Sequence, residues 1–339
     1  MSAGAQMDKN LTRRVLLRGA AVGGTGIAAA SLLPVQSAVA AETRGGVAFP
    51  GVDVVIDASH ATTAAAVLVR DYLAAKSAHD PDATMAYFAH EPLTYIDAVL
   101  GWSWYTWDAL LAALRSFMPN WPQGAESYPT RVLGDTTGAV VFFTDMPGMF
   151  GPSEIRAVGV VDFEDRKVAR QIDYWDGRHF GIAGTASLRV SSAEFPTDFR
   201  ESTVGEHAAP TMRRVARDLA LALRKRDGDG AAALFAQGAV FEDIPAHLEI
   251  VGPRSIGAYL GAAASLLPYT GEGTAVRHVV GSAVGGGYEW TAIGGAVPRG
   301  VTALELDRWG KITRMTAMWD GSLVDDATLT ALTQGAIEH

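Results

Sequence analysis

Two stretches of this chain, far apart in the sequence, share one pattern. Residues 281–321 are typical of three successive antiparallel strands, because β-forming residues alternate with polar ones and turn residues interrupt them at 307–310. Residues 158–177 match the second and third of these strands, and both stretches end in Trp-Asp-Gly, at 175–177 and at 319–321. Such self-similarity predicts a tandem repeat of one domain type.

The composition fits two globular domains and excludes several kinds of site. The chain has 339 residues, 48% of them hydrophobic, which is enough to bury a core in each half. A net charge of −9, without a Lys/Arg cluster in the folded part, argues against a nucleic-acid partner. The sequence contains no cysteine, so disulfides, thiol nucleophiles and thiolate metal sites are excluded.

The first 45 residues have the features of an export signal. Paired arginines at 13–14 precede a small, apolar stretch at 19–33, and Ala-Val-Ala at 38–40 offers a cleavage site. This segment resembles a twin-arginine signal, which predicts an extracellular or cell-envelope protein. An uncleaved membrane anchor is the alternative, but the apolar run is shorter than the roughly 18–20 residues that a spanning helix needs. We therefore expect no stable membrane span after processing.

The first repeat is predicted at residues 58–190. Hydrophobic periodicity predicts helices at 61–78, 82–90 and 104–117, with a short strand at 93–97 between the second and third helices. From residue 127 onward the pattern changes to period two, and strands are expected at 130–133, 139–144, 154–163 and 168–175. Three helices followed by an antiparallel meander indicate an α+β domain whose helices cover one face of a curved sheet.

The second repeat is predicted at residues 209–330, after a linker at 191–208. Helices are expected at 211–226, 231–237 and 253–267, a short strand at 240–243 and a meander at 276–319. Three glycines at 285–287 do not open a helix and are interpreted as a bulge that bends a strand. The fold class is therefore α+β, with two cone-shaped barrels in tandem, each made of three helices packed on a curved antiparallel sheet.

In both repeats the short strand ends in an aspartate, Asp97 in the first and Asp243 in the second. Alternate residues of such a strand point into the cone, where apolar walls raise the pKa of a carboxylate. The alternative is an aspartate that caps a helix or a turn. Because the residue recurs in both copies, we expect Asp97 and Asp243 to be catalytic.

A second carboxylate follows the third helix of each repeat, Glu126 in the first and Glu272 in the second. If it faces the same pocket as the aspartate, the two environments can leave one group ionised as a base and the other protonated as an acid. Such a pair suits the opening of an epoxide, since one group deprotonates the attacking hydroxyl or water and the other protonates the departing oxygen. A glutamate beside glycines can instead be a solvated loop residue.

The aspartates of the two Trp-Asp-Gly sequences, Asp176 and Asp320, end the last strand of each repeat. Alternation puts Asp176 on one face with Tyr174 and Asp173 on the other with Trp175, so only one of these pairs can point inward. An aspartate before glycine is typical of a turn, and a general base is the alternative interpretation. Near the third helix, Trp104 and its aromatic neighbours are either core residues or the apolar wall of a pocket.

Taken together, these patterns resemble a known fold family. One order of elements is predicted twice over residues 60–325: two helices, a short strand ending in aspartate, a third helix, and four curved strands ending near Trp-Asp. This order resembles the nuclear transport factor 2-like, or SnoaL-like, cone fold of ketosteroid isomerases, polyketide cyclases and limonene epoxide hydrolases. Tyr72 and Asp97 look like the tyrosine and the base aspartate of ketosteroid isomerase. The second repeat is similar to the two-domain polyether epoxide hydrolases, with Phe-Glu-Asp-Ile-Pro at 241–245 and Gly-Glu-Gly at 271–273. That resemblance implies paired catalytic carboxylates at Asp243 with Glu272 and at Asp97 with Glu126.

The resulting hypothesis is an epoxide-opening hydrolase or cyclase that acts on a hydrophobic, polyketide-like epoxide. Asp243 is expected to be the base and Glu272 the acid, with a second or degenerate site at Asp97 and Glu126. Two alternatives remain: a SnoaL-like cyclase or isomerase that uses Asp176 or Asp320 as base, and an exported, non-catalytic protein that binds a hydrophobic ligand. The residues expected to contact the substrate are Tyr72, Trp104, Tyr288, Trp290, Trp319 and Asp320. The sequence predicts neither a metal nor a cofactor, and the two repeats are expected to pair with each other or with a second copy of the chain.

Overall fold

A computed structural model describes residues 46–337, and the predicted export signal lies outside this range. Within the range, the α+β fold class is confirmed: there are two separate sheets, one from each repeat, with helices packed on them. None of the helices described is both long enough and apolar enough to cross a membrane.

The first repeat is an eight-stranded sheet with helices on one face. Its elements are β1 (Gly46–Ala48), β2 (Val55–Ala61), α1 (Thr63–Ser77), α2 (Pro81–Met85), β3 (Thr94–Asp97), β4 (Ser103–Trp104), α3 (Trp107–Phe117), β5 (Ser127–Gly134), β6 (Gly138–Asp145), β7 (Ile155–Glu164), β8 (Lys167–Trp175) and α4 (Ile182–Leu188). The strand order is β1-β2-β5-β6-β7-β8-β3-β4, in which β3 lies parallel to β8. Side chains from α1 and α3 share one buried apolar cluster with the inner face of the sheet.

The helices of the first repeat begin at side-chain caps that the sequence supplies. Thr62 and Thr106 accept hydrogen bonds from the backbone N–H of Ala65 and Ala109, which starts α1 and α3. Asp80 caps α2 in the same way, but this helix ends at Met85 rather than at the expected residue 90. The shorter helix leaves Phe88 free to bridge to Val168 of the sheet.

The second repeat is a six-stranded sheet with the same succession of elements. After α5 (Glu201–Val204), its elements are α6 (Pro210–Lys225), α7 (Gly228–Ala232), β9 (Phe235–Asp243), β10 (Leu248–Val251), α8 (Pro253–Ala262), β11 (Thr274–Gly281), β12 (Gly285–Ala292), β13 (Arg299–Leu306), β14 (Ile312–Trp319) and α9 (Asp326–Gly335). The strand order is β10-β9-β14-β13-β12-β11. The expected helix at 231–237 is wrong in its second half, because Phe235 already pairs with Ile312 as the start of β9.

The glycines at 285–287 do not form the expected bulge. Gly286 and Gly287 pair with both neighbouring strands and Gly285 pairs with β13, and the irregularity in the pairing of β11 with β12 lies between Val276 and His278 instead. The absence of a side chain matters at Gly285 for another reason, since a Cβ there would collide with the backbone of His60 in the first repeat. The glycines therefore mark a close approach between the repeats.

The outer faces of the two sheets pack against each other. One buried apolar cluster combines Val140, Phe142 and Ile172 of the first sheet with Val301 and Met318 of the second.

Two polar side-chain contacts between the sheets occupy equivalent positions in the two repeats. Arg131 of β5 binds Glu305 of β13 at 2.8 Å, and His278 of β11 binds Asp162 of β7 at 2.8 Å. Arg131 and His278 each stand three residues before the glycine that ends their strand, and Asp162 and Glu305 lie at matching places in the third strand of each meander. The contact is therefore reciprocal, as in a two-fold symmetric dimer.

Candidate active site

A cavity of about 100 Å³ lies inside the first repeat, between its helices and the inner face of its sheet. Most of its wall is aromatic or aliphatic, and its aromatic residues include Trp102, Trp104, Phe117 and Phe150. Its polar wall is small and consists mainly of Tyr72, Lys76, Tyr95, Asp97, Asp145 and Asp173. An apolar pocket with a few convergent polar groups is typical of a small-molecule site.

Asp97 and Asp173 lie side by side in this cavity. They are direct partners in the parallel pairing of β3 with β8, so their side chains project from the same face of the sheet. On the other side of β8, Asp173 is paired with Gly159 of β7, where a Cβ would lie only 2.9 Å from Asp173 Oδ1. The glycine thus leaves room for the second carboxylate.

The carboxylate of Asp97 is held at the end of its strand by three donors. The backbone N–H groups of Val99 and Leu100 donate to Oδ1 at 2.9 and 2.8 Å, and the indole N–H of Trp175 donates to Oδ2 at 3.0 Å. These bonds favour the ionised form, but burial outweighs them and raises the pKa of Asp97 to about 7. This residue therefore changes its protonation state near neutral pH.

The carboxylate of Asp173 has two side-chain donors. The hydroxyl of Tyr95 donates to Oδ2 at 2.6 Å, and the amide of Gln171 donates to Oδ1 at 2.9 Å. Burial raises the pKa of Asp173 to about 6, although the two hydrogen bonds and the charge of Lys76 oppose the rise. The cavity therefore contains two adjacent carboxyl groups that titrate close to neutrality, the arrangement that separates an acid from a base.

An ion pair between Lys76 and Asp145 completes the polar wall. The Nζ atom of Lys76 lies 2.9 Å from Asp145 Oδ1, and both side chains are almost completely buried. The ammonium also lies 5.3 and 5.4 Å from the ring centres of Phe143 and Phe150. Lys76 follows Tyr72 by one helical turn, which brings both side chains to the cavity.

In the second repeat, Asp243 occupies a closed site. Its side chain is 0% exposed and accepts hydrogen bonds from Tyr269, from the backbone of Ala246 and from the indole of Trp319. Burial raises the pKa of Asp243 to about 6. Tyr269 packs edge-on against Trp290, so the space beside this carboxyl group is filled by protein.

The structure does not bring together the expected pairs of aspartate and glutamate. Glu272 is exposed at the surface, whereas Asp243 is completely enclosed, so the prediction that both face one pocket is wrong. Glu126 packs against Gly51, where a Cβ would lie 2.6 Å from its Oε1, and it does not line the cavity. Both glutamates follow glycine-containing loops that turn away from the helices, and the solvated-loop interpretation is correct for Glu272.

The residues expected to contact the substrate fall into two groups. Tyr72 and Trp104 line the cavity of the first repeat. Tyr288, Trp290 and Trp319 are each at most 2% exposed and belong to the apolar core of the second repeat. Those three aromatic residues are therefore core residues.

The aspartates of the Trp-Asp-Gly sequences lie in turns and not in the cavity. Asp176 accepts from the backbone of Arg178 at 3.0 Å, and Asp320 accepts from the backbone of Ser322 at 3.0 Å, so each caps a short 3₁₀ turn. Asp320 also binds Arg189 of the first repeat. The expected substrate contact at Asp320 is thus replaced by a structural role between the repeats.

Equivalent positions of the two cones carry different side chains. Counted from the shared aspartate and the shared Trp-Asp-Gly, Tyr95 corresponds to Phe241 and Asp173 to Ala317. In the first long helix of each repeat, Tyr72 corresponds to Leu219 and Lys76 corresponds to Leu223. In the second strand of each meander, the pairing register makes Asp145 correspond to Ala292. Polar groups of the first cone are apolar in the second, and only the aspartate held by tryptophan is common to both.

Sequence reasoning missed Asp173, Lys76 and Asp145. Strand alternation had already put Asp173 on the face of Trp175, and the inward orientation of Trp175, which binds Asp97, identifies this face as the inner one. Lys76 carried a weaker signal, namely its position four residues after Tyr72. Asp145 ends β6, and its position in the cavity depends on the strand register.

Among residues 46–337, no group of three or more His, Asp or Glu side chains is arranged to hold a metal ion. No protein-family model and no curated protein matches the sequence. Solved structures that are similar to part of the chain are described as having ketosteroid isomerase-like, SnoaL-like or nuclear transport factor 2-like folds.

Three of these structures illustrate the extent of the similarity. A steroid delta-isomerase from Pseudomonas aeruginosa is 17% identical, with 39% of this chain and 93% of that chain covered and a TM-score of 0.30. A SnoaL-like protein of unknown function from Burkholderia thailandensis is 12% identical, and the match covers 32% of this chain and 94% of that protein, with a TM-score of 0.28. The third structure is a hypothetical protein with a ketosteroid isomerase-like fold from Catenulispora acidiphila, in complex with trimethylamine. It is 13% identical, and the match covers 35% of this chain and 92% of that protein, with a TM-score of 0.30.

Proposed function

We propose that the cavity of the first repeat is the active site of an acid–base enzyme that opens an epoxide on an apolar substrate. The observation that carries this proposal is the adjacency of Asp97 and Asp173 in one apolar cavity, with pKa values of about 7 and about 6. Near neutral pH such a pair holds about one proton, so one member can accept a proton while the other donates one. The proposal moves the catalytic pair from Asp243 and Glu272 to the first repeat.

In the proposed reaction, ionised Asp173 is the base and protonated Asp97 is the acid. Asp173 removes a proton from a water molecule or from a hydroxyl of the substrate, and the oxygen attacks one epoxide carbon. The carbon–oxygen bond of the epoxide breaks, and Asp97 gives its proton to the departing oxygen. The proton gained by Asp173 then passes to Asp97 beside it, which restores the starting state. Attack by water yields a diol, and attack by an internal hydroxyl yields a cyclic ether.

The pKa values of the two carboxylates support this division of roles. Both groups accept hydrogen bonds that favour the ionised form, two at Asp173 and three at Asp97, but burial raises the pKa of Asp97 further. Asp97 has the higher pKa of the two and is the group more often protonated at neutral pH. The aromatic wall fits a hydrophobic substrate and excludes bulk water from the reacting groups.

The test is turnover of an aryl-substituted hydroxy-epoxide, with products separated and identified by mass spectrometry. Hydration adds one water to the mass of the substrate, whereas cyclisation leaves the mass unchanged. Asp173→Asn should lower turnover by roughly 10²- to 10⁴-fold, the usual contribution of one positioned acid or base. Asp243→Asn is the matched control, because it changes the equivalent group of the closed cone. Equal turnover by wild type and Asp173→Asn would refute the proposal.

A second candidate is proton transfer at carbon, as in an isomerase or an aldol-type cyclase. It is favoured by the donors in the cavity, since Tyr72 and Lys76 can stabilise an enolate oxygen while Asp173 acts as the base. Deuterium exchange from solvent into an enolisable aryl ketone would distinguish this reaction from epoxide opening. A non-catalytic ligand-binding protein would return both compounds unchanged and without deuterium.

Export through the twin-arginine route is part of the same proposal, and it rests on the sequence of residues 1–45 alone. Replacing Arg13 and Arg14 by lysine in the full chain should retain the protein inside the producing cells. Secretion of this variant at the wild-type level would contradict a twin-arginine signal.

A further inference from the structure

The cavity contains a cation that the proposed acid–base step does not use. Lys76 is the one Lys or Arg among the described residues that line the cavity, and it is 5% exposed. Burial of a lysine ammonium is costly unless its charge is paired and its N–H groups find acceptors. Asp145 supplies the charge, at 2.9 Å.

The hydrogen-bonding capacity of this ammonium exceeds what its surroundings provide. A lysine has three N–H donors, and within the described residues Asp145 Oδ1 is the acceptor that Lys76 binds. Its other neighbours are the rings of Phe143 and Phe150, which attract the cation through their faces but are weak acceptors. Two of its N–H donors therefore have no protein oxygen as acceptor among the described residues.

The charges around the cavity restrict what can bind there. Asp145 neutralises Lys76, and Asp173 and Asp97 add negative charge as they ionise. An anionic ligand would therefore be repelled by the carboxylates that face it. A neutral oxygen, such as that of an ether, an epoxide or a carbonyl, can accept from Lys76 without this repulsion.

We propose that Lys76 is the specificity-determining residue of this cavity and that it anchors a neutral oxygen acceptor on an otherwise apolar, ring-sized ligand. This inference rests on the proposed function for its site but extends it to the class of ligand. The second repeat offers a natural comparison. It has Leu223 and Ala292 at the positions of Lys76 and Asp145, and its cone is packed with apolar side chains.

The experiment compares two probes of nearly equal size, styrene oxide and ethylbenzene, which differ in the epoxide oxygen. Binding is followed by quenching of tryptophan fluorescence, because Trp102 and Trp104 line the cavity. All measurements are made on the full chain carrying Asp173→Asn, so that turnover does not consume the epoxide. With Lys76 present, styrene oxide should bind at least about tenfold more tightly than ethylbenzene, as expected for one hydrogen bond from a charged donor.

The decisive variant is Lys76→Leu with Asp145→Ala, which installs the residue pair that the second repeat already packs. It should abolish the preference for styrene oxide and leave the affinity for ethylbenzene within about twofold. Asp145→Glu alone is the matched control, since it keeps both the ammonium and a carboxylate partner and should retain the preference. If circular dichroism shows that this double variant does not fold, Lys76→Met with Asp145→Asn replaces it, and the same loss of preference is expected.

The outcomes separate this inference from the proposed function. A preference for styrene oxide that persists without Lys76, or that is absent with it, overturns the role of Lys76. If the preference depends on Lys76 but the wild-type protein does not convert styrene oxide or a hydroxy-epoxide, the inference stands and epoxide opening is refuted.

Discussion

The carboxylate of Asp320 accepts a hydrogen bond from the backbone N–H of Gly177 at 3.2 Å, across the boundary between the two repeats. In the other direction Gly321 lies against Asp176 without this hydrogen bond, and a Cβ on Gly321 would stand 2.7 Å from Asp176 Oδ1. The two Trp-Asp-Gly sequences thus face each other, each aspartate beside the glycine of the other copy. The sequence that revealed the duplication also joins the two copies.

Adding a side chain at either glycine should weaken the joint. A Cβ at Gly177 would lie 2.5 Å from Asp320 Oδ1, so Gly177→Ala and Gly321→Ala should each lower the free energy of unfolding by about 1–3 kcal/mol, the usual cost of overpacking. The measurement is urea denaturation. Gly238→Ala is the control, because a Cβ there meets no atom within 4 Å. Equal stabilities of all three variants would contradict the role assigned to the joint.

Gly159→Ala should lower activity without removing a catalytic group. Its Cβ would lie 2.9 Å from Asp173 Oδ1 and would push this carboxylate away from the donors Gln171 and Tyr95. A displacement of this kind can reduce turnover by about 10²-fold. Steady-state turnover of the hydroxy-epoxide, beside an unfolding curve for the same variant, checks the prediction. A fully active Gly159→Ala enzyme would exclude Asp173 from the reaction.

The pH dependence of the reaction should be a narrow bell. The base must be ionised, which requires a pH above about 6 for Asp173, and the acid must be protonated, which requires a pH below about 7 for Asp97. The ratio kcat/KM should therefore rise up to about pH 6 and fall above about pH 7. Asp97→Asn removes the acid and should lower the maximum of kcat/KM. A kcat/KM profile that is flat from pH 5 to pH 9, a range that extends at least about one unit beyond both pKa values, would rule out the pair.

Asp243→Asn should stabilise the protein in alkaline solution and leave turnover unchanged. Burial raises the pKa of Asp243 from 3.8 to about 6, so the folded state holds a proton that the unfolded state releases between these values. The free energy of unfolding therefore decreases as the pH rises from about 4 to about 6, by on the order of 2–3 kcal/mol, and stays lower above that range. An asparagine amide can donate to the hydroxyl of Tyr269, while its oxygen still accepts from Trp319.

Thermal unfolding at pH 4 and at pH 8 measures this effect. The variant should be more stable than wild type at pH 8 and nearly equal to it at pH 4, where Asp243 is protonated in the folded state and only about half ionised in the unfolded state. A variant that is destabilised equally at both values would show that the hydrogen bonds of Asp243, and not its charge, control stability.

Glu272→Gln should change neither activity nor stability to a measurable extent. Its side chain is exposed, and a surface substitution of this kind usually alters stability by less than about 0.5 kcal/mol. Turnover of the hydroxy-epoxide and urea denaturation provide the comparison with wild type. A large loss of turnover would return Glu272 to the list of candidate catalytic residues.

The sequence by itself determined the α+β class, the repeated order of elements and the position of Asp97 at the end of a short strand. These features are local, because periodicity, capping residues and turn residues act over a few positions. The length of β9 was beyond such reasoning, since Phe235 becomes a strand residue only by pairing with Ile312 of β14. The role of the three glycines at 285–287 likewise depends on His60 of the other repeat.

Only the tertiary structure decided which carboxylates meet. Asp97 and Asp173 are adjacent because β3 inserts parallel to β8 in a register that pairs them, and Gly159 on the next strand leaves the space that Asp173 needs. The repeat suggested two equivalent sites, but a cavity depends on the volumes of residues that converge from distant parts of the chain. In the second cone Tyr269 donates to Asp243, which is completely enclosed, whereas Asp97 and Asp173 line the cavity of the first cone. This difference is set by packing and not by any local pattern.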